Sequence, residues 1–279
     1  MEGIKRLLSF KLSDLTFGRV SRALLRRVGN IWHLATWYFP FGFSKRNKEK
    51  IKQYENIHAG KRCFIVCNGP GLNKINIDLL KNEYTIGMNR IYLMEEQNGF
   101  SPTYLFCYDK ATQLLQFTEE FDALKLPCFF NWDLNKKFSR KDNQVFLKGK
   151  FSPSFSIDPI DDLVGNGKTV TYICMQLAYY MGFSEVYLVG KDHSYNTTVK
   201  PTNAIVSDGH DLNHFSPKYY RPGQIWDAPD YHSEELAYKL ARKVFEQSGR
   251  KIQDASVDGK LDVFEKVDFK ELFTENIHS

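Results

Sequence analysis

Residues 62–72 read RCFIVCNGPGL. Cys63 to Cys67 form a short, unbroken apolar run, the pattern of a strand covered on both faces in a parallel sheet. Asn68, Gly69, Pro70 and Gly71 then reverse the chain. Glycine tolerates positive φ and lets other groups approach the backbone, while proline fixes its own φ. Apolar Leu72, Ile75, Leu79 and Leu80 predict a short helix over 72–80 whose free amides point back at the turn. Strand, glycine turn and helix amino end make an anion cradle, with Asn68, Gly69, Pro70 and Gly71 as its ligand contacts. The stretch is neither GxGxxG nor GxxxxGK[ST], so a bare structural turn is the alternative.

Outward from this turn the chain alternates strand and helix. Residues 84–88, 103–108 and 127–132 read as strands, with a helix over 111–124. Asn68, Asn89 and Asp109 thus recur just past the carboxyl ends of consecutive strands, the ligand-binding edge of an open parallel sheet. Residues 135–167 are polar and irregular apart from a strand at 144–147, and Asp158, Asp161 and Asp162 suit a solvated turn better than a metal loop. A helix over 168–181 is apolar on nearly every side and is expected to be buried. At its start Thr169 and Thr171 offer hydroxyls and amides to an anion, or simply cap it.

The next strand, 185–190, runs into Lys191-Asp192-His193-Ser194-Tyr195. Residues 196–231 lack periodicity, and so long an irregular segment carrying Phe215, Tyr219, Tyr220 and Trp226 predicts an ordered lid. A helix over 232–246, a strand at 251–256 and a tail packing through Val263, Phe264 and Phe273 follow. The expected architecture is α/β: a Rossmann-like, mostly parallel sheet with helices on both faces over 51–273, interrupted by the lid.

Residues 1–50 differ from the rest. Lys5, Arg6, Lys11, Arg19, Arg22, Arg26 and Arg27 alternate with apolar residues, an aromatic run follows over 31–43, and Lys45, Arg46, Lys48 and Lys50 close it. The pattern predicts a basic amphipathic helical arm, lying on an anionic inner-leaflet surface or packed on its own domain or a second subunit. The apolar run is too short to span a bilayer, and no signal-peptide cleavage pattern is evident. The basic excess is concentrated in this segment and the rest of the chain is near neutral, which argues against a nucleic-acid groove. Five cysteines without CxxC or metal-ligand spacing read as reduced thiols, hence a cytoplasmic protein peripheral to the inner membrane.

Over residues 56–273 the chain resembles the MptE-like family through CNGPGL at 67–72, GMNR at 87–90, NGKTVTY at 166–172, MGFSEVYLVGKDHSY at 181–195 and NHFSPKYY at 213–220. That family's named member is a hydroxymethylpterin diphosphokinase, and many bacterial members accompany surface-glycan functions. More distantly the chain is similar to bacterial lid-bearing sialyltransferases. This likeness implies that Asn68 touches a donor's phosphate or ribose and that Asn89 sits beside the reacting centre. It also implies that the lid supplies a general base, His214 or His232, and that Tyr195, Tyr219 and Tyr220 stabilise the leaving phosphate. Asp109, Gly167 and Val170 depart from the sialyltransferase pattern.

The implied activity is transfer of a sugar, foremost a CMP-activated acidic sugar, to a cell-envelope glycan or glycolipid. Such a reaction needs a base near the acceptor hydroxyl and donors aimed at the departing phosphate. No DxD triplet is present, so no obligatory metal is expected. Two alternatives stand beside it: an Mg-ATP diphosphokinase with Asp109 and Asp192 facing the metal, and a non-catalytic nucleotide-binding accessory protein. Homo-oligomerisation is compatible with each.

Overall fold

The computed structural model describes residues 31–39, 41–150, 152–194 and 204–274. Tyr195, the basic segment 1–30 and the start of the lid lie outside them. The chain divides into two compact units, one ending at Arg46 and the other starting at Asn47. In the first, residues 31–38 are helical, and Trp32, Tyr38, Phe39 and Phe41 are exposed. Helix α1 (Phe43–Lys52) carries the chain into the second. Among the described residues no helix is long and apolar enough to cross a membrane.

The second unit is built on one eight-stranded sheet. Its strands are β1 (Arg62–Val66), β2 (Thr85–Met88), β3 (Tyr104–Cys107), β4 (Cys128–Asn131), β5 (Gln144–Leu147), β8 (Glu185–Val189), β11 (Lys251–Asp254) and β12 (Glu265–Lys266). The order is β12-β11-β8-β1-β2-β3-β4-β5, and every pair is parallel. The sheet is therefore Rossmann-like, and parallel throughout rather than mostly so. β1 lies at the centre with Cys63, Phe64, Ile65 and Val66 fully buried, as an unbroken apolar strand requires. The chain fills one side of β1 with β2 to β5 and then crosses to the other with β8. The switch point is thus the crevice above the carboxyl ends of β1 and β8, where open α/β sheets take their ligands.

The buried helix is α4 (Val170–Tyr180), nine of whose eleven residues are buried. Its one long polar side chain is fully used: Gln176 Oε1 accepts from the Ser156 and Gly165 amides, each at 2.9 Å, and its Nε2 donates to Gly165 O at 2.9 Å. This ties down β7 (Val164–Gly165), which pairs with β6 (Gly149–Lys150), two short strands absent from the sequence pattern. Helix α2 (Leu93–Asn98) follows β2, and α5 (Tyr231–Gln247) spans the amphipathic stretch after the lid.

Two expected helices are corrected. Residues 72–80 form two short 3₁₀ turns, Pro70–Lys74 and Ile77–Leu80, because Asn76 captures the Asp78 amide at 3.2 Å and restarts the chain. Residues 111–124 divide into a π turn, Lys110–Leu114, and helix α3 (Thr118–Ala123). The Asp109 carboxylate caps that π turn through the Thr112 amide at 2.8 Å.

Candidate active site

A cavity of about 430 Å³ opens at the β1/β8 switch point. The strand ends bring Asn68, Asn89 and Asp109 together in its wall, as the strand-end series predicts, and Asp192 joins them from the end of β8. Gly69, Thr169 and Thr171 also line it, and the lid supplies His214, Tyr219 and Tyr220. His232 does not: it is exposed on the first turn of α5.

The glycine turn works differently from the expected cradle. Gly69 has φ −70°, and neither it nor Gly71 is among the positive-φ glycines. Both must be glycine because Asp192 packs against them: a Cβ at 69 would lie 2.6 Å from the Asp192 Cγ, and one at 71 would strike its Oδ1. The amides are also spent. Gly69 N–H donates to Gly190 O at 2.9 Å, Gly71 N–H to Asp192 Oδ2 at 2.8 Å and Leu72 N–H to Gly69 O at 3.1 Å. Pro70 and Gly71 are not in the cavity wall. What the turn presents instead are acceptors. Asn68 Nδ2 donates to Met88 O at 3.1 Å, which fixes the amide's orientation. That leaves Asn68 Oδ1, Asn89 Oδ1 and Asp192 Oδ1 buried without a hydrogen-bond partner among the described residues. Buried acceptors of this kind are costly unless a ligand or water supplies the hydrogen.

Thr169 caps α4 by accepting the Thr171 amide at 3.3 Å, and the Thr171 hydroxyl turns inward toward Met88 Sδ at 3.5 Å. Both line the cavity while serving the fold. Asn89, Lys168 and His193, all in the wall, have φ of 49°, 64° and 50°. Side-chain-bearing residues held in the left-handed region cost energy and cluster at functional sites.

Carboxylates dominate the charge. Lys191 Nζ is 3.0 Å from Glu234 Oε2, and Lys110 Nζ is 2.9 Å from Asp133 Oδ2, so two of the wall's three lysines, Lys168 being the third, are paired with carboxylates of the protein. Burial pushes the Asp192 carboxyl up. It does the same to Asp227, helped by the charge of Asp109 across the cavity. Burial, and then the Lys191 charge, push the His193 imidazole down. The Cys67 thiol, buried beneath the turn, is pushed up to about 12.

The described part of the lid, from 204 on, is partly sheet: β9 (Ala204–Val206) and β10 (Ile225–Asp227) form an antiparallel pair. It is pinned by Phe215 N–H to Asn68 O at 2.9 Å and Asn73 Nδ2 to Phe215 O at 2.9 Å. These contacts set His214 over the cavity. Its Nδ1 lies 2.8 Å from Asp211 Oδ2, and its ring stacks on Tyr219 at 3.8 Å between centroids and 2° between planes. Donation from Nδ1–H to a carboxylate makes Nε2 the basic nitrogen.

The family model described as 6-hydroxymethylpterin diphosphokinase MptE-like matches residues 43–198. The chain belongs to this MptE-like family. The match begins before residue 56 and stops short of the lid motif at 213–220. No curated protein matches. Among solved structures, the MAf glycosyltransferase of Magnetospirillum magneticum AMB-1 aligns at 15% identity with a TM-score of 0.49, over 80% of this chain but only 38% of the other. A mammalian sialyltransferase, in complex with Gal-beta-1-3GalNAc-ortho-nitrophenol, aligns at 13% identity and a TM-score of 0.37, over 84% of this chain and 86% of the other.

Several wall residues of this MptE-like chain escape sequence reasoning. Gln113, Trp226 and Asp227 line the cavity from segments with no strand-end signal. Asn131 ends β4, much as Asn68 lies just past β1, and was open to the same reading. Its side chain is spent on Tyr108 O and the Asp133 amide, at 3.1 and 3.0 Å. Arg90 of the GMNR motif is missed most completely: it is buried, and its guanidinium faces the lid backbone.

Proposed function

We propose that the cavity transfers a sugar from a nucleotide donor, with a CMP-activated acidic sugar the favoured class, to a hydroxyl of a cell-envelope glycan or glycolipid. The observation that carries this reading is the His214–Asp211 pair on a lid that closes the switch-point cavity. The acceptor oxygen bonds to the anomeric carbon as the bond from that carbon to the donor phosphate breaks. His214 Nε2 takes the hydroxyl proton, and the nucleotide leaves with the electron pair. Tyr220 Oη accepts from Gln113 Nε2 and Tyr219 Oη from the Arg90 amide at 3.5 Å, and both rings line the cavity, which supports their role beside a departing phosphate. With Lys110 and Lys191 paired to carboxylates and Lys168 the third lysine of the wall, the cavity suits a donor with one phosphate better than a triphosphate, which calls for several cationic clamps.

The second reading, an Mg-ATP diphosphokinase with Asp109 and Asp192 facing the metal, is favoured by the family description and by the carboxylates of Asp109, Asp192 and Asp227 in the cavity wall. A thermal-shift panel of CMP, CDP, UDP, GDP and ATP, each with and without magnesium, separates the two. Metal-independent stabilisation by CMP supports sugar transfer; stabilisation by ATP with magnesium alone overturns it.

Residues 1–50 hold the protein, in this reading, to an anionic inner-membrane surface. The exposed Trp32, Tyr38, Phe39 and Phe41 support this. Liposome flotation undiminished by deletion of residues 1–50 would refute it.

A further inference from the structure

Arg90 follows β2 in a 3₁₀ turn and is 1% exposed. Its Nη1 donates to Lys218 O at 3.0 Å and also to Tyr219 O, its Nη2 to Glu120 Oε2 at 2.9 Å and its Nε to Tyr92 Oη at 3.0 Å. The guanidinium lies on the Phe117 ring, 3.9 Å from its centroid. Glu120 in turn accepts from Tyr92 Oη at 2.6 Å and from Arg221 Nη2 at 3.0 Å. Arg90 and Glu120 stand on the body of the domain, whereas Lys218, Tyr219 and Arg221 stand on the lid. The cluster therefore spans the two.

We infer that Arg90 is a positioning residue, which fixes the His214 imidazole by clamping the backbone of Tyr219, the ring on which His214 stacks. The connection is short and directional. A planar guanidinium holds two successive carbonyls in one geometry that a lysine ammonium, a point charge on a flexible stem, does not reproduce. With the Tyr219 carbonyl held by Nη1 and its hydroxyl by the Arg90 amide, the ring is fixed at both ends. The stacked imidazole can then only turn in its own plane, and Asp211 sets that angle. The inference rests on the proposed role of His214 for its catalytic meaning, but its geometry is tested without any transfer assay.

The test uses the full chain with R90K and, because removing one partner of a buried ion pair endangers folding, the charge-neutral pair R90M/E120Q. Imidazole nitrogen–proton NMR reads the His214 ring directly. Trypsin reads the Lys218–Tyr219 bond, whose carbonyl Arg90 holds. The expected result in both variants, at unchanged far-UV circular dichroism, is loss of the ring-current shift that Tyr219 imposes on His214. A rise of tenfold or more in cleavage after Lys218 should accompany it, with no comparable rise at lysines outside the lid. A folded R90M/E120Q protein whose His214 signals and Lys218 cleavage match wild type would overturn the inference. That outcome leaves the nucleotide panel, and the reading it tests, untouched.

Discussion

The Asp192 carboxylate lies against the backbone of Gly71, taking its N–H at 2.8 Å with one oxygen while the other fills the place of a Cβ at position 71. G71A should therefore overpack the turn and lower stability by about 1–3 kcal/mol. Denaturant midpoints at constant m-value measure it. Because the closest conflict is with the Asp192 side chain, ahead of the Val257 carbonyl at 3.0 Å, G71A should cost less in a D192A background. Equal costs in the two backgrounds would mean that Asp192 is not the obstacle.

The two lid-side histidines should separate cleanly. His214 is held by Asp211 and stacked in the cavity wall, whereas His232 is exposed. With the donor found by the nucleotide panel, H214A should lower kcat by roughly 10²–10⁴-fold, the usual range for a general base. H232A should leave kcat within twofold, and D211N should fall between them. A kcat for H232A as low as that of H214A would reverse the assignment.

Acid should loosen the lid before it unfolds the sheet. Burial pushes the Glu120 carboxyl up, but hydrogen bonds from Tyr92 and Arg90 and the charge of Arg90 outweigh it and hold it below its ordinary value. A carboxyl depressed in the folded state contributes fully above its unfolded pKa, about 4.3, and the contribution is lost as pH falls through the folded value. Cleavage after Lys218 by an acid-tolerant protease, or lid amide exchange, should rise over that window. E120Q should flatten the rise.

Asp122 behaves in the same sense outside the lid. Burial opposes ionisation, yet the Ser139 amide at 2.8 Å and hydroxyl at 2.5 Å, with Gln144 Nε2 at 3.0 Å, hold the group at about 2. The stability it gives should persist to lower pH than that from Glu120. D122N should lower the melting temperature at pH 7 and narrow the gap to wild type near pH 2.

All five cysteines are buried, and Cys67 titrates at about 12. An aromatic disulfide reagent at pH 8 should find no fast-reacting thiol in the native protein and five in denaturant. One fast thiol at Cys67 in the native state would show that the turn above it opens.

The strands were legible because each central one is an apolar run bounded by turn residues, and period alone locates such runs. The cavity was half legible. Asn68, Asn89, Asp109 and Asp192 follow from strand ends, whose common edge is a property of any parallel sheet. The glycines were legible as a close approach, but what approaches is Asp192, and a contact between β1 and β8 has no local signature. Arg90 shows the same limit more sharply. Its partners, Glu120, Lys218 and Tyr219, sit on other segments, and nothing in GMNR reveals that a cation there faces carbonyls. The helix over 72–80 failed for a local reason: Asn76 offered the backbone a competing hydrogen bond at the Asp78 amide.

The position of β8 beside β1 also orders the protein's synthesis. Five strands, β1 to β5, leave the ribosome before β1 acquires its second neighbour, so the most apolar strand waits with one edge unpaired. Parallel pairing across so long an intervening segment is slow, since loop closure precedes any gain from contact. The cavity floor, half from Cys67–Gly69 and half from Gly190–Asp192, comes into being only when that edge is closed. A nascent chain thus has no such cavity until β8 has paired.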